Sequence, residues 1–180
     1  MAIIAIGGPH GSGKSSVAKK IAEKFGMNYV SAGQVFRQMA KDMGISLEEF
    51  SLIAAKNSNY DLEIDRRTEE LAKQDNTVVD AQLAAYKAPH ADIRICITAS
   101  PQVRWERIAK REGMSLEKAR NETIIREEAE RERFRILYNI DIDDMSVYDV
   151  IFNTDRLSED EVFDLVNVVI QYVIEKDLVN

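Results

Sequence analysis

The sequence predicts one α/β domain, in which buried strands alternate with amphipathic helices. The chain has 180 residues, a length that suits a single domain with a substantial core and leaves little room for a second. Short apolar runs alternate along it with segments whose apolar residues recur every three or four positions. A glycine-rich segment joins the first apolar run to the first such helix, which is the order of a strand, a phosphate-binding loop and a helix. We therefore expect residues 1–180 to form a single domain.

The glycine-rich segment runs from Gly8 to Ser15 as G-P-H-G-S-G-K-S and matches the pattern G-x-x-x-x-G-K-[ST] at every required position. Its backbone N–H groups can point into one hollow that holds a nucleotide phosphate, and the N-terminus of the next helix faces the same hollow. Lys14 is expected to reach the β- and γ-phosphates, and the Ser15 hydroxyl to complete the shell of a bridging Mg²⁺ ion. The residues predicted to bind the nucleotide are Gly8, Gly11, Ser12, Gly13, Lys14, Ser15 and Ser16.

A second candidate phosphate contact lies beyond the first helix, which is expected to end at Gly26. A short strand covers 28–30, and a second helix begins at the N-cap Ser31. Arg37 then follows about one and a half turns into that helix, at the carboxyl edge of the sheet, where ligands of open α/β sheets bind. A guanidinium there suits a phosphate, although an exposed arginine can equally be a solvated charge.

The next segment is expected to be a helical insert without a strand. Ser46 and Glu49 form a capping box that opens another helix, and 62–71 has the pattern of a further one. Together with the second helix they form a small flap of about residues 31–75 on one side of the site. Within it, the triplet Asp65-Arg66-Arg67 is either solvated helix surface or a group of ligand contacts.

Three further strands are expected at 76–83, 93–98 and 148–153. Asp80 lies near the carboxyl end of the first of them, beside the phosphate-binding loop. A carboxylate there can hold the water shell of Mg²⁺ or align the attacking group, although it can also be a satisfied acid at a strand end. Cys96 is the only cysteine, so it cannot form an internal disulfide, and we expect a small buried side chain in a protein of a reducing compartment.

The C-terminal half carries many arginines on predicted helices. A helix of about 101–111 has Arg107 and Arg111 on one face, and a long helix follows over about 115–138. Its segment 126–135 contains four arginines and four glutamates. This composition is typical of an exposed helix with many salt bridges. Because arginine also suits bidentate phosphate contacts, a mobile lid that closes over the nucleotide is the second interpretation.

Charge and hydropathy exclude some classes of partner. The formal net charge of −7 argues against a nucleic-acid polymer, because such a partner favours a broadly basic surface. The apolar run at the N-terminus is only about six residues long, too short for a signal sequence or a membrane span. We therefore expect a cytoplasmic protein that binds neither nucleic acid nor a membrane.

Taken together, the phosphate-binding loop, the helical insert and the arginine-rich helix resemble the archaeal type of cytidylate kinase. This is a family of nucleoside monophosphate kinases in the P-loop NTPase superfamily. The resemblance extends from the loop to the final helix and is more specific than the loop alone, because it rests on several separate segments. They are Gly8 to Ser15, Ser31-Ala32-Gly33 with Phe36-Arg37, Ile64 to Arg67, Arg107 with Arg111, Ile124 to Glu128, Tyr138 to Asp144, Tyr148-Asp149 and Asn153-Thr154.

The resemblance implies a three-layer P-loop kinase fold. Its five-stranded parallel sheet would have the strand order 2-3-1-4-5, with a helical insert for the monophosphate and an arginine-rich helical lid of about residues 112–140. It implies ATP and Mg²⁺ as phosphoryl donor and CMP or dCMP as acceptor. The partners would be these small nucleotides, and the protein would be a monomer or a homodimer.

The resemblance also assigns roles to residues that match the family's segments. The catalytic residues would be Lys14, Arg111, Arg126 and Arg131, and Arg107 would join the residues that bind ATP. The acceptor residues would be Ser31, Gly33, Arg37, Asp65, Arg66, Asp80 and Gln82, and the metal ligands would be Ser15 and Asp80.

One position departs from the family pattern. After the third strand the family has a stretch like Glu-Gly-Arg-Leu, whereas this chain has Asp80-Ala81-Gln82-Leu83. The arginine of relatives helps to neutralise the acceptor phosphate. Here either Gln82 makes a weaker neutral hydrogen bond, or Arg66 or Arg67 supplies the charge.

Two other functions fit parts of the sequence. An adenylate kinase or another small-molecule P-loop kinase would share the loop and the lid, and no segment of this chain specifies hydrogen bonds to cytosine. A regulatory protein that binds a nucleotide without catalysis would also need the loop. It would need neither an acceptor pocket nor a lid, so both of those features count against it.

Overall fold

The computed structural model describes residues 2–54, 56, 57 and 59–177; residues 1, 55, 58 and 178–180 of the predicted domain lie outside this description. The strands are β1 (Ile3–Gly7), β2 (Asn28–Ser31), β3 (Thr77–Asp80), β4 (Ile93–Thr98) and β5 (Val150–Asn153). The α-helices are α1 (Lys14–Phe25), α2 (Ala32–Asp42), α3 (Leu47–Ala54), α4 (Asn59–Ala72), α5 (Ala84–Lys87), α6 (Pro101–Glu112), α7 (Leu116–Tyr138) and α8 (Glu159–Asp177), and a 3-10 helix covers Met145–Val147.

The strands form one parallel sheet in the order β2-β3-β1-β4-β5, which confirms the predicted order. In this register Asp80 lies beside Ile6 on one side and beside Ser31 on the other. Gly7 in turn lies beside Cys96. The carboxyl ends of neighbouring parallel strands therefore meet at one edge of the sheet, which is where ligands of such sheets bind.

Helices cover both faces of the sheet and give it three layers. Alternate side chains of β1 point to opposite faces, because a strand has a side-chain period of two. Ile4 and Ile6 are fully buried against the apolar face of α1 and against α8. Ile3 and Ala5 pack on the other side, against the end of α4 and the short helix α5. Each fully buried aliphatic side chain stabilises this arrangement by about 1.5–3 kcal/mol.

The insert between β2 and β3 is helical, as predicted, and has a small core of its own. Phe50 is fully buried at its centre, with its ring centroid 4.6 Å from that of Phe36 and 5.3 Å from that of Tyr60. Met39 and Ile64 close this cluster from α2 and α4. This cluster can therefore hold the helices of the insert together beside the edge of the sheet.

Local signals fix most helix starts, but one helix start and one strand end differ from expectation. The predicted capping box at Ser46 and Glu49 is present, with both reciprocal hydrogen bonds formed. Ser100 makes no side-chain cap on α6; its N–H donates to the Asp155 carboxylate at 2.6 Å instead. β3 ends at Asp80, earlier than predicted, because the chain leaves the sheet there and soon turns into α5.

Helix α7 buries few of its side chains. Within the described residues its buried side chains are Ala119, Thr123 and Phe134, and the rest of its surface is mostly polar. Every helix in the described part of the chain falls short of the length and apolar character that a membrane crossing needs.

Candidate active site

The phosphate-binding loop leaves no room for a side chain at two of its glycines. Gly8 and Gly11 have φ angles of 136° and 76°, in the region that favours glycine. A Cβ atom on Gly8 would lie 2.0 Å from the carbonyl oxygen of Ile97, and one on Gly11 would lie 2.7 Å from that of Arg104. The loop is therefore packed directly on β4 and α6, which fixes the direction of its backbone N–H groups.

Lys14 is the first residue of α1 and lies half-buried next to this loop. Its pKa is lowered, chiefly because the surrounding protein removes water from the ammonium group; Asp80 opposes this shift, and Arg126 adds to it. Within the described part of the chain, no carboxylate forms an ion pair with it. The ammonium group is thus a cation without a protein counter-ion, at the N-terminus of a helix, and both features favour an anionic ligand.

A cavity of about 590 Å³ opens between the loop, the ends of β2 and β3, the insert and α7. Its size suits a small ligand. It brings together predicted residues from five separate parts of the sequence. They are Lys14, Ser15, Ser31, Gly33, Arg37, Asp65, Asp80, Gln82 and Arg126.

Arg37 faces this cavity from α2. No acidic side chain of the described residues lies within ion-pair distance of its guanidinium group. Its Nη1 atom approaches the backbone of Gly33, where a Cβ atom would lie 3.5 Å away. An unpaired guanidinium at a cavity wall is a suitable partner for a phosphate or a carboxylate of a ligand.

Asp80 is buried at the floor of the cavity and is only half satisfied. Its Oδ2 atom accepts a hydrogen bond of 2.5 Å from the hydroxyl of Tyr29. Its Oδ1 atom is buried without a hydrogen-bond partner in the described part of the chain. Burial of the phenol, followed by the charge of Asp80, raises the pKa of Tyr29, so this hydroxyl remains a donor. A free carboxylate oxygen near Ser15 is a suitable ligand for a hard cation or its water shell.

Asp65 is fixed by partners that the sequence did not reveal. Its Oδ2 atom accepts a hydrogen bond from the hydroxyl of Tyr138, at the end of α7. The same oxygen lies 3.3 Å from the Nζ atom of Lys87, whose side chain is only 5% exposed. The ammonium group also pairs with Glu69 at 2.8 Å and lies 4.3 Å from the ring centroid of Tyr138. These contacts join α4, α5 and α7 around one wall of the cavity.

Arg66 and Arg67 are turned away from the cavity. Arg66 pairs with Glu63 at 2.8 Å and with Glu70 at 2.6 Å on the exposed side of α4. Arg67 pairs with Glu63 at 2.7 Å and with Asp42 at 3.3 Å. These arginines lower the pKa of Glu63 to about 2. The structure therefore does not bring either guanidinium to the cavity that Gln82 lines.

Other cations line the cavity beside Gln82. Lys87 is one of them, and Arg133 of α7 is another, paired with Asp61 at 3.0 Å. No local motif marks either residue in the sequence. Arg37, Lys87 and Arg133 thus line the part of this cavity formed by the insert, α5 and α7.

A second cavity, of about 390 Å³, lies on the other side of the phosphate-binding loop. Its walls contain Arg107, which donates hydrogen bonds of 2.9 Å to the hydroxyl of Thr154 and of 2.8 Å to its carbonyl oxygen. Arg107 therefore joins α6 to the end of β5. The remaining loop residues and the other arginine of α6 complete the predicted set at this cavity: Gly11, Ser12, Gly13, Ser16 and Arg111.

The two predicted arginines of α7 lie in different places. Arg126 lines the main cavity, and its Nε atom donates to Glu130 at 3.0 Å. Arg131 pairs with Asp143 at 3.2 Å and lines a separate cavity of about 290 Å³ beyond Gly8. In this conformation Arg126 shares a cavity with Lys14 and Ser15, whereas Arg131 shares one with Gly8 and Pro9 at the other end of the loop.

The donor set for a metal is small. Among the described residues, no group of three or more His, Cys, Asp or Glu side chains is arranged to hold a metal ion.

Cys96 is buried in β4, and burial raises the pKa of its thiol to about 11, as expected for a small core residue.

Comparison with known proteins extends these observations. A sequence model of the cytidylate kinase-like family matches residues 3–156. The chain is 46% identical over 167 residues to a cytidylate kinase of Staphylothermus marinus, covering 92% of this chain and 94% of that protein. It is 44% identical over 171 residues to a cytidylate kinase of Pyrococcus horikoshii, covering 95% and 89%. A solved shikimate kinase from Bacteroides thetaiotaomicron superposes with a TM-score of 0.60 at 16% identity, covering 93% of this chain and 97% of that one, which shows a shared fold.

Proposed function

Because the chain belongs to the cytidylate kinase-like family, we propose that it transfers the γ-phosphoryl group of ATP to CMP or dCMP. The observation that carries the proposal is a pair of cations, Lys14 and Arg37, which line one cavity and form no ion pair with any of the described residues. A phosphoryl donor and a phosphoryl acceptor both bring negative charge to that cavity. Phosphoryl transfer needs mainly positioning and neutralisation of this charge, so no covalent nucleophile is required of the protein.

ATP would place its phosphates in the hollow of the phosphate-binding loop. Lys14 would neutralise the β- and γ-phosphates, and the N-terminal N–H groups of α1 would donate to the same oxygens. The base and ribose would occupy the second cavity, beside Arg107 and Arg111. Arg126 would reach the transferred group from α7, and this helix would also exclude water that could otherwise accept the phosphoryl group.

Mg²⁺ fits the donor atoms that this chain presents. Mg²⁺ keeps several waters and binds through one or two carboxylates together with substrate phosphates, so it needs no cluster of acidic side chains. The unpartnered Oδ1 atom of Asp80 and the hydroxyl of Ser15 would hold it or its water shell. When bound, the ion supplies positive charge between the β- and γ-phosphates.

CMP would lie under the helical insert with its phosphate on Arg37. Ser31 and Gly33 border the same part of the cavity, and Gln82 faces it from the end of β3. Asp65 would contact the base side of the acceptor, where its carboxylate is fixed by Tyr138 and Lys87. Arg66 was expected in this set from the family pattern, and its ion pairs with Glu63 and Glu70 would have to open before it could join.

A substrate panel tests the proposed reaction directly. ATP and Mg²⁺ are supplied with CMP, dCMP, UMP or AMP, and nucleoside diphosphate formation is measured in a coupled assay. We expect CMP and dCMP to have the highest kcat/KM. A preference for AMP would make the protein an adenylate kinase, and the absence of transfer to every monophosphate would support a regulatory nucleotide-binding role. An ATP-only reaction measures background hydrolysis.

The substitution Gln82→Arg is expected to tighten CMP binding. A hydrogen bond to a charged group contributes about 1.5–3 kcal/mol, against about 0.5–1.5 kcal/mol for a neutral one, so the net gain should be roughly 1–2 kcal/mol. This gain corresponds to a roughly five- to thirtyfold lower Kd for CMP. Calorimetry measures this change. Arg66 and Arg67 lie on the exposed side of α4, so they should not reduce the gain through repulsion.

The matched control for this experiment is Gln82→Met, which keeps the length of the side chain and removes its polar group. CMP should bind to it slightly more weakly than to the wild type. Unchanged or weaker CMP binding to a folded Gln82→Arg variant would show that residue 82 does not face the acceptor phosphate.

A further inference from the structure

The tip of the phosphate-binding loop is joined to helix α7 by a half-buried carboxylate. The Nε2 atom of His10 lies 2.7 Å from the Oε2 atom of Glu130, and the two side chains are only 19% and 14% exposed. The other oxygen of Glu130 accepts a hydrogen bond of 3.0 Å from the Nε atom of Arg126. One carboxylate thus connects the loop that would hold ATP to an arginine predicted to act on the transferred group.

This carboxylate is ionised in its half-buried position. Burial by itself would raise the pKa of Glu130, but the hydrogen bond and charge of His10, followed by those of Arg126, hold the pKa below its ordinary value. An ionised carboxylate that accepts from two donors holds both of them in well-defined positions, because charge-assisted hydrogen bonds are shorter and stronger than neutral ones.

A second contact fixes the same point of the loop. Glu127, one turn earlier on α7, forms an ion pair with Arg104 of α6. Arg104 is buried, and its Nη1 atom also donates a hydrogen bond of 2.9 Å to the carbonyl oxygen of His10. The side chain and the backbone of His10 are therefore both tied to glutamates on one face of α7. Few apolar side chains of α7 are buried, so these polar contacts contribute to where the helix sits on the loop.

Two roles are open to a carboxylate so close to Lys14. It could stand in for a phosphate and block the nucleotide site, or it could orient Arg126. In the described structure Glu130 forms no ion pair with Lys14, and its two oxygens are used by His10 and Arg126. The contacts therefore match orientation of the arginine and leave the ammonium group available to a ligand.

We infer that Glu130 is a positioning residue, which aims Arg126 at the transferred phosphoryl group from an anchor on His10. This inference rests on the proposed kinase activity. Arg126 and Glu130 are four residues apart on one helix, so the glutamate restrains the arginine side chain from within the same helix. His10 then sets the position of that helix face relative to the loop. Small errors in the position of a charged group are costly in phosphoryl transfer, where a misplacement of about 1 Å can reduce the rate by up to a hundredfold.

The test compares kcat and KM in Glu130→Ala, Arg126→Ala and the double variant. Glu130→Ala should lower kcat about tenfold and change the KM values for ATP and CMP by less than about threefold, because the arginine is misplaced and not removed. In the Arg126→Ala background, the same change should have no further effect on kcat, since the two residues act as a unit. Glu130→Gln keeps an acceptor for Arg126 and should recover part of the loss.

Controls separate this role from stability and from the proposed function. Glu132→Ala removes an exposed glutamate of the same helix and should leave the kinetics unchanged. Thermal unfolding of each variant reports whether α7 still docks. Tighter ATP binding with undiminished kcat in Glu130→Ala, or additive losses in the double variant, would overturn the inference while the wild type remains a kinase. If the wild type transfers phosphate to no monophosphate, the proposed function and this inference both fail.

Discussion

The variant Lys14→Ala is expected to lose transfer activity with ATP and CMP by about a hundred- to a thousandfold while it keeps its fold. Lys14 lies at the mouth of the loop and forms no ion pair among the described residues. Its ammonium group is already largely shielded from water by the surrounding protein. Its charge is thus available to the phosphates of a ligand. Removal of one such preorganised electrostatic contact typically costs about 2.7–4 kcal/mol of transition-state stabilisation.

The comparison for this prediction is Lys24→Ala, which removes an exposed lysine from the last turn of the same helix. It should have the kinetics of the wild type. Circular dichroism and thermal unfolding would show that both variants are folded. If Lys14→Ala kept more than about a tenth of the wild-type kcat, the loop would not be the site of the phosphoryl donor.

The variant Arg37→Ala is expected to raise the KM for CMP by about tenfold to a hundredfold and to leave the KM for ATP nearly unchanged. The guanidinium of Arg37 lines the part of the cavity that we assign to the acceptor, and a hydrogen bond to a charged group contributes about 1.5–3 kcal/mol. Steady-state kinetics with each substrate varied in turn measure the two constants separately.

Lys41→Ala provides the matched control for Arg37, because Lys41 is an exposed cation in the last turn of the same helix. Its two KM values should equal those of the wild type. If the KM values for ATP and CMP rose together in Arg37→Ala, or if only that for ATP rose, the assignment of this residue to the acceptor phosphate would be wrong.

The contrast between Arg37 and Arg66 was partly present in the sequence. Glu63 and Glu70 lie three positions before and four positions after Arg66, which is the spacing of neighbours on a helix surface. No acidic residue occupies the corresponding positions around Arg37. The sequence could therefore have indicated that Arg66 has local partners and that Arg37 has none. The same spacing joins Arg126 to Glu130, in agreement with an exposed helix that carries salt bridges.

The sequence by itself determined the elements that depend on near neighbours along the chain. The phosphate-binding loop follows from glycines that adopt positive φ angles, as at Gly8 and Gly11, and from the strand and helix on either side. The capping box at Ser46 and Glu49 likewise depends on groups three residues apart. The strand order came from the resemblance to a family, because periodicity alone does not specify which strands pair.

Only the tertiary structure decided which polar side chains meet at the cavity. Glu130 reaches His10 across 120 positions of the sequence, Tyr138 reaches Asp65 across 73, and Lys87 enters the same wall from a helix that was not expected. Such contacts have no local spacing that could reveal them, because they arise where the packed sheet brings distant loop and helix ends to one edge. The sequence therefore specified the phosphate-binding loop, whereas packing of the insert and α7 decided which charges surround it.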